Sequence, residues 1–221
     1  MRLALFDVAG TLTDGNTWTN LVNHPKINRW GRLRLIAWAY PAWFGSKVGL
    51  ITETDFRDQW VRGMARLLQG WSREDVTDLF RWLVEKHTIP RFHSDVVAIA
   101  RQHRTSGDYV IFVSNMFEDA VQMVADELGA DKGIGTKLAF EGDICTGKLA
   151  SPSCAGPQKL EMVADHLAEQ AVEVDVATVS DGYADSWSDH YLLDSVAIPH
   201  AVYPDKRLRR YAEEHGWAII S

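Results

Sequence analysis

Residues able to do chemistry fall at a few separated points along the chain. In FDVAGTLTDG, Asp7 ends an uncharged apolar run from Leu3 to Phe6, and Gly10 and Thr11 follow it. A carboxylate at the carboxyl end of a central strand stands at the edge where open α/β sheets place their ligands. Gly10 lets the backbone turn sharply, and the turn offers N–H groups and the Thr11 hydroxyl to an anion. An aspartate that only caps the turn after a strand fits the same residues. Farther on, Ser114 lies at the end of YVIFVSN, Lys159 heads the helix-like GPQKLEMVADHL, and Asp185 and Asp189 follow a third strand-like run, VATVSDGYADS. Taken alone, Ser114 is an ordinary helix cap and Lys159 a solvated helix residue. Asp185 and Asp189 stand at helical i, i+4 spacing, where like charges repel. With no lysine or arginine beside them, the pair suggests a cation.

Holding these groups in place requires strands and helices in alternation. Leu3 to Phe6 reads as a buried parallel strand, and Tyr109 to Asn115 is a β-branched and aromatic run of the same kind. FEDAVQMVADELG then places Ala120, Val121, Val124 and Leu128 at helical spacing, with Gly129 as the stop. HSDVVAIARQHRTSG repeats the pattern, with Ser94 as its cap. IGTKLAFEGDICTGKL reads as a hairpin turning near Gly142 and Asp143. Strands separated by helices imply βαβ units and a parallel sheet. Between about Gly15 and Pro90 strand runs disappear, and RLRLIAWAYPAWF, TDFRDQWVRGMARLL and REDVTDLFRWLVEKH carry helical patterns instead. That stretch is a helical insertion after the first strand, and no internal repeat or low-complexity segment interrupts the chain.

At 221 residues and 46% hydrophobic, the chain suits one domain with a large insertion or two small ones, with ample material for a core. A net charge of −7 and a pI near 5.6 argue against general nucleic-acid binding. Cys145 and Cys154 are too few for a disulfide framework and match no metal-ligand spacing, so a cytoplasmic location is expected. Arg2 and the short apolar run after it do not make a signal peptide.

DVAGT (Asp7 to Thr11), VSN (Val113 to Asn115), CAGPQK (Cys154 to Lys159) and YADSWSDHYLL (Tyr183 to Leu193) running into AVYPDKRLRRYAEEHGW stand in this order. Together they resemble the haloacid dehalogenase superfamily, in particular its phosphoserine phosphatase-like branch, and GTKLAFEGDICTGKL looks like the segment that precedes the lysine there. The resemblance covers nearly the whole chain. It implies a Rossmann-like α/β core, residues 1–14 and 91–221, and a helical cap, residues 15–90, inserted after the first strand. It further implies that Asp7 is the nucleophile of an aspartyl-phosphate mechanism. Mg²⁺ would be held by Asp7, Asp185 and the backbone carbonyl of Ala9. Phosphoryl oxygens would meet the Ser114 hydroxyl, the Lys159 ammonium and N–H groups around Gly10, Thr11 and Asn115. Asp189 would orient water on the ion, or Lys159. Asp181, in SDGYAD, competes for a place in the acidic motif, but the spacing from Asp189 to the later proline favours Asp185 with Asp189.

In the phosphatases of this branch, the residue two after the nucleophile is a second aspartate, which protonates the leaving oxygen and then deprotonates the attacking water. Here it is Ala9. A methyl group transfers no proton, and losing a general acid/base costs about 10²- to 10⁴-fold. Three explanations stand: an introduced substitution that disables the enzyme, a natural pseudo-enzyme that binds phosphate or a partner, or chemistry that needs no acid there. Phosphonoacetaldehyde hydrolase, in the same superfamily, has such a D-x-A-G-T motif and forms a Schiff base with a cap lysine. Lys47 in WFGSKVGL is the candidate for that role, with a lysine snorkelling from an apolar helix as the plainer reading. CAGPQK and the hairpin favour a phosphatase scaffold carrying a substitution.

Substrate choice is expected to lie in the insertion. Trp30, Leu33, Leu35, Ile36, Trp38, Tyr40, Trp43 and Phe44 are preceded by or interleaved with Lys26, Arg29, Arg32 and Arg34. Aromatic plus basic residues suit an interface with anionic lipid. Broken by Pro41, Gly45 and Lys47, the run is too short to span a membrane. A helical cap packing its own core is the plainer reading. The expected partner is a small-molecule phosphate ester, bulky or amphiphilic, with peripheral membrane contact through the cap.

Overall fold

In this computed structural model the described residues are 2–15, 17–47, 49–172, 176 and 180–221, without the side chains of Thr17, Trp18, Lys47 and Glu53. The strand β1 (Leu3–Phe6) is buried at every position. Its alternation sends Leu3 and Leu5 into one core with Ile111, Val163 and Leu167, and Ala4 and Phe6 into another with Phe112 and Val124. A strand covered on both faces must be apolar throughout, which is why LALF is continuous rather than alternating.

Around β1 the sheet takes the order β3-β2-β1-β6-β7-β8, with every pairing parallel. Its other strands are β2 (Tyr109–Phe117), β3 (Lys132–Thr136), β6 (Ser180–Ala184), β7 (Ile198–Val202) and β8 (Ala218–Ile220). The order reverses at β1, the topological switch point where such sheets bind ligands. Helices α4 (Ser94–Thr105) and α5 (Glu118–Leu128) cover one face and α6 (Gln158–Glu169) the other. This is the expected α/β fold. The hairpin of β4 (Leu138–Glu141) and β5 (Ile144–Leu149) forms its own antiparallel pair and turns at Gly142 and Asp143, as its sequence predicts. Gly129 closes α5 at φ +69°, in the left-handed region open to glycine. Ser94, expected as the cap of α4, is instead its first residue. His93 holds the cap position without a side-chain bond, because its Nδ1 lies 3.0 Å from the Thr11 carbonyl oxygen.

Between β1 and α4 the described chain is helical: a 3₁₀ turn (Thr17–Asn23), α1 (Arg29–Lys47), α2 (Glu53–Leu67), α3 (Arg73–Leu83), and π and 3₁₀ turns through Arg91. Thr52 and Ser72 start α2 and α3, each side-chain oxygen accepting from the backbone N–H three residues on at 3.1 Å. Pro41 and Gly45 interrupt the apolar run but not α1, which continues through both. Among the described residues the segment shares its core with the sheet, where a core of its own is the plainer expectation. Leu35, Met64, Leu79 and Phe80 join Phe6 and Phe117 in one cluster, and the Phe80 and Phe117 rings lie 5.5 Å apart. Its two ends run side by side, with His93 N–H donating to Leu12 O at 2.9 Å.

Beside the C-terminal end of α4, Tyr183 stacks between Phe6 and His200 at centroid separations of 4.2 and 4.3 Å. Burial lowers the pKa of His200 from its ordinary 6.5, although Asp181 at 3.4 Å works the other way. The folded chain therefore resists a proton that the unfolded chain accepts, and the stability this contributes above about pH 6.5 is lost as pH falls. His200→Gln is expected to lose less stability than the parent between about pH 7.5 and about pH 5.5, read from urea midpoints. An equal or steeper loss in the variant would contradict it.

Candidate active site

Asp7 leaves β1 with its N–H donating to Tyr183 O at 2.9 Å, so its backbone is tied to β6. Lys159, in the first turn of α6, places Nζ 2.6 Å from Asp7 Oδ1 and 2.6 Å from Asp189 Oδ1. All three side chains are buried. Asp185, in the loop after β6, completes a cluster in which oxygens of Asp7, Asp185 and Asp189 lie within 4.8 Å of one another. Asp189 closes a 3₁₀ turn (Trp187–Asp189), so the i, i+4 pair does not share an α-helix as its spacing suggested. The cation missing nearby in sequence is supplied by Lys159, and Ser186 Oγ donates to Asp189 Oδ2 at 3.0 Å.

Burial pushes the Asp7 carboxyl up, Lys159 opposes this, and Asp189 adds to it. Asp185 is driven well above the usual carboxylate value, by burial first and then by the charges of Asp7 and Asp189. Burial also resists ionisation of Asp189, but Lys159 and Arg57 outweigh it and hold that carboxyl below its usual value. Burial works against the Lys159 charge, and Asp189 and Asp7 overcome it, keeping the ammonium protonated. Three carboxyl groups outnumber the cations Lys159 and Arg57 that act on them, and Asp185 resists ionisation until further positive charge joins the cluster. Hard oxygen donors in this surplus fit a small divalent cation.

Gly10 makes the cluster possible. Its φ is +106°, and a Cβ there would lie 2.1 Å from Asp185 Oδ2. Its N–H donates to Thr13 O at 2.7 Å, so it fixes the turn and is not free for an anion, contrary to the expectation from sequence. Thr11, fully buried, likewise points its hydroxyl at carboxylates, 3.4 Å from Asp7 Oδ2 and from Asp185 Oδ1. Gly10→Ala is expected to cost about 1–3 kcal/mol from backbone strain alone, with more from displacing Asp185. Urea unfolding measures it, and an unchanged midpoint would contradict this packing.

The cluster opens into a cavity of about 470 Å³. The pairing of β2 with β3 slips between Val113 and Phe117, an irregularity of the kind that re-aims side chains at active sites, and Ser114 and Asn115 line the cavity. The Asn115 amide donates to Arg57 O at 3.3 Å and accepts from Ser153 Oγ at 2.9 Å, tethering α2 to the sheet. Arg57 was not identified from sequence, where nothing sets it apart from Arg62 and Arg66 on the same helix. Its guanidinium donates to Ser186 Oγ at 3.3 Å and lines the cavity with Trp43, Phe56 and Trp60. Ala9 also lines the cavity, and its side chain is a methyl group. Among the described residues lining the cavity there is no histidine, and no carboxylate besides Asp7 and Asp185. Asp181 lies apart from the cluster, paired with Arg2 at 2.7 Å. The Lys47 side chain is outside the described residues. Burial pushes the nearby Cys154 thiol up to about 12, which makes it a poor nucleophile.

A family model described as haloacid dehalogenase-like hydrolase matches residues 4–194, from β1 through Asp189. A Streptomyces azureus protein, "Inhibition of morphological differentiation protein", is 28% identical over 157 residues, 71% of this chain and 56% of that protein. The chain spans little more than half the length of the curated relatives it matches first. A crystal structure of a protein with unknown function from Bordetella pertussis superposes with TM-score 0.83 at 23% identity, covering 100% of this chain and 98% of that one. A substrate-bound phosphoserine phosphatase superposes with TM-score 0.65 at 16% identity over 99% of this chain and 92% of that one, a likeness of fold. The family match takes in β2, β3, β6, nearly all of β1 and every member of the acidic cluster, and the chain belongs to the haloacid dehalogenase-like hydrolase family.

Proposed function

We propose that this chain is a phosphomonoester hydrolase scaffold in which Asp7 receives the phosphoryl group. The carrying observation is the buried Asp7–Lys159–Asp189 cluster, which opens with Asp185 into a cavity that also presents Ser114 and Arg57. An Asp7 carboxylate oxygen bonds to phosphorus and the ester P–O bond breaks, leaving an aspartyl phosphate and an alkoxide. Lys159 favours the ionised form of Asp7 against its burial and aims it, and Asp189 holds Lys159 in place. The Ser114 hydroxyl and the Arg57 guanidinium meet phosphoryl oxygens, where charge shifts during transfer. Mg²⁺ fits Asp7, Asp185 and the backbone carbonyl of Ala9, and when bound it supplies charge compensation between carboxylate and phosphate. Residues 15–90 act as the cap, because α1 and α2 bring Trp43, Phe56, Arg57 and Trp60 to the cavity.

The apolar wall supports a bulky or amphiphilic ester, and exposed aromatic residues on α1 support peripheral contact with a lipid surface. Buried free thiols at Cys145 and Cys154 support a cytoplasmic location. Schiff-base chemistry at a lysine is disfavoured at Lys159, since a nucleophilic amine must be neutral and this one is held charged between carboxylates. With a methyl at position 9, the proton steps lack their carrier and turnover is impaired.

With an aryl phosphate of good leaving group and Mg²⁺, the expected result is a burst near one equivalent and then very slow turnover. Intact-protein mass spectrometry shows a phosphoryl adduct, absent in Asp7→Asn. A burst without an adduct on Asp7, or no burst at all, contradicts the nucleophile. Thermal shift is expected to respond to Mg²⁺ in the parent and not in Asp185→Asn; a response retained in Asp185→Asn contradicts the metal assignment.

A further inference from the structure

Charge is unevenly spread along this chain. From Gly15 to Thr52 there are five of the 23 Lys and Arg residues and none of the 30 Asp and Glu, in a protein of net charge −7. Helix α1 lies in this stretch and is apolar on both sides. Leu35, Ala39 and Ala42 are buried, while Trp30, Leu33, Ile36, Tyr40, Trp43 and Phe44 turn outward with 44–63% of their surface exposed. Apolar residues all round a helix mark an element buried in protein or lipid, and a patch of this kind marks an interaction site. Yet no described helix is long and apolar enough to cross a membrane. The outward residues are rich in Trp and Tyr, whose flat apolar bodies and polar edges settle at a lipid–water boundary.

Cations border the same face. Exposed Arg29 lies over the Trp30 ring, 5.4 Å from its centroid. A cavity of about 750 Å³ runs between α1, α2 and β5, lined by Arg34, Arg66, Lys148 and Lys26, with no acidic residue among the described residues that line it. Lys26 is paired with Asp75 at 2.5 Å, and Arg66 rests over the Trp38 ring at 4.9 Å. Arg34 and Trp43 are about two and a half helical turns apart, so the basic groove and the catalytic cavity open on opposite flanks of the outward face.

We propose that α1 is an interfacial anchor: its outward aromatic face beds into the headgroup region of an anionic bilayer, where Arg29, Arg34, Arg66 and Lys148 meet lipid phosphates. This deepens the peripheral contact read above and rests on that reading, not on the role of Asp7. Charge selects the occupant. A second copy of the chain would set two faces bordered by cations against each other, whereas an anionic lipid surface complements both the aromatic stripe and its basic border. The bilayer then lies against Trp43, at the wall of the catalytic cavity, so an ester carried in that bilayer reaches Asp7 without crossing water.

The test floats the full chain with vesicles of phosphatidylcholine alone and of phosphatidylcholine with phosphatidylglycerol. Flotation is expected with the anionic vesicles only and is reversed by salt. Ile36→Glu with Phe44→Glu reduces partition at least about tenfold through lost apolar burial. Arg29→Glu with Arg34→Glu reduces it by a similar factor or more. All these side chains are exposed, so both variants melt with the parent, which separates lost docking from lost folding. Equal flotation with both vesicle types overturns the charge assignment, and undiminished flotation of Ile36→Glu/Phe44→Glu overturns the face. Absence of flotation together with concentration-dependent dimers on size exclusion overturns the anchor in favour of a second copy. Phosphoryl labelling of Asp7 by a soluble aryl phosphate, measured separately, distinguishes failure of the anchor from failure of the hydrolase reading.

Discussion

Ala9→Asp raises turnover of an alkyl phosphate by about 10²- to 10⁴-fold, the contribution of one positioned proton carrier. Position 9 lines the same cavity as Asp7 and Asp185, and no histidine or further carboxylate among the described lining residues takes its place. In the proposed mechanism both half-reactions need the missing group. An alkoxide departs slowly unless it is protonated, and water attacks the aspartyl phosphate slowly unless its proton is taken. For an aryl phosphate the first step needs little help, so Ala9→Asp acts there mainly on the second, converting a burst into steady turnover. Rates on paired alkyl and aryl substrates, with adduct mass followed over time, read both effects. A variant that binds phosphate but hydrolyses nothing across a broad panel favours the reading of a binding module. Fast alkyl turnover in the parent shows that another residue supplies the proton.

The parts legible in the sequence are those where one local rule decides. LALF had to be a strand buried on both faces, because a short uncharged run that ends in a turn has few other fates. The turn at Gly142 and the stop at Gly129 rest on glycine's access to positive φ. Asp7 at a strand end could be placed because the sheet edge follows from the strand itself. Where several long-range contacts compete, local reading loses. Ser94 is the better cap by type, yet His93 takes the position because its ring lies against the Thr11 carbonyl across the ends of the helical segment. The Asp185–Asp189 spacing fits a helix, but a 3₁₀ turn brings Asp189 to Lys159. Arg57 was illegible because its value comes wholly from where α2 packs, and that packing is set by a core shared with the sheet rather than by the helix's own pattern.

Lys159→Met destabilises the fold by about 3–5 kcal/mol, the cost of leaving buried charge without its partner. Methionine is nearly isosteric with lysine, so little of this loss comes from a cavity. What is removed is the ammonium that lies 2.6 Å from both Asp7 and Asp189. Those two carboxylates, buried and with Asp185 within 4.8 Å, then face one another with Arg57, among the described residues, left to offset them. Removing one of the charges should relieve the repulsion. Asp7→Asn in the Lys159→Met background is therefore expected to recover part of the loss, although Asp7→Asn alone breaks the same ion pair. That reversal of sign is the signature of charge, since two merely structural substitutions would add. Added Mg²⁺ is expected to restore stability to the single variant and less to the double, because the cation replaces the missing positive charge where three oxygens still converge. Urea unfolding of the four proteins in the cycle, with and without Mg²⁺, makes the measurement. A loss within about 0.5 kcal/mol for Lys159→Met, the range of surface substitutions, would show that this cluster does not depend on its lysine.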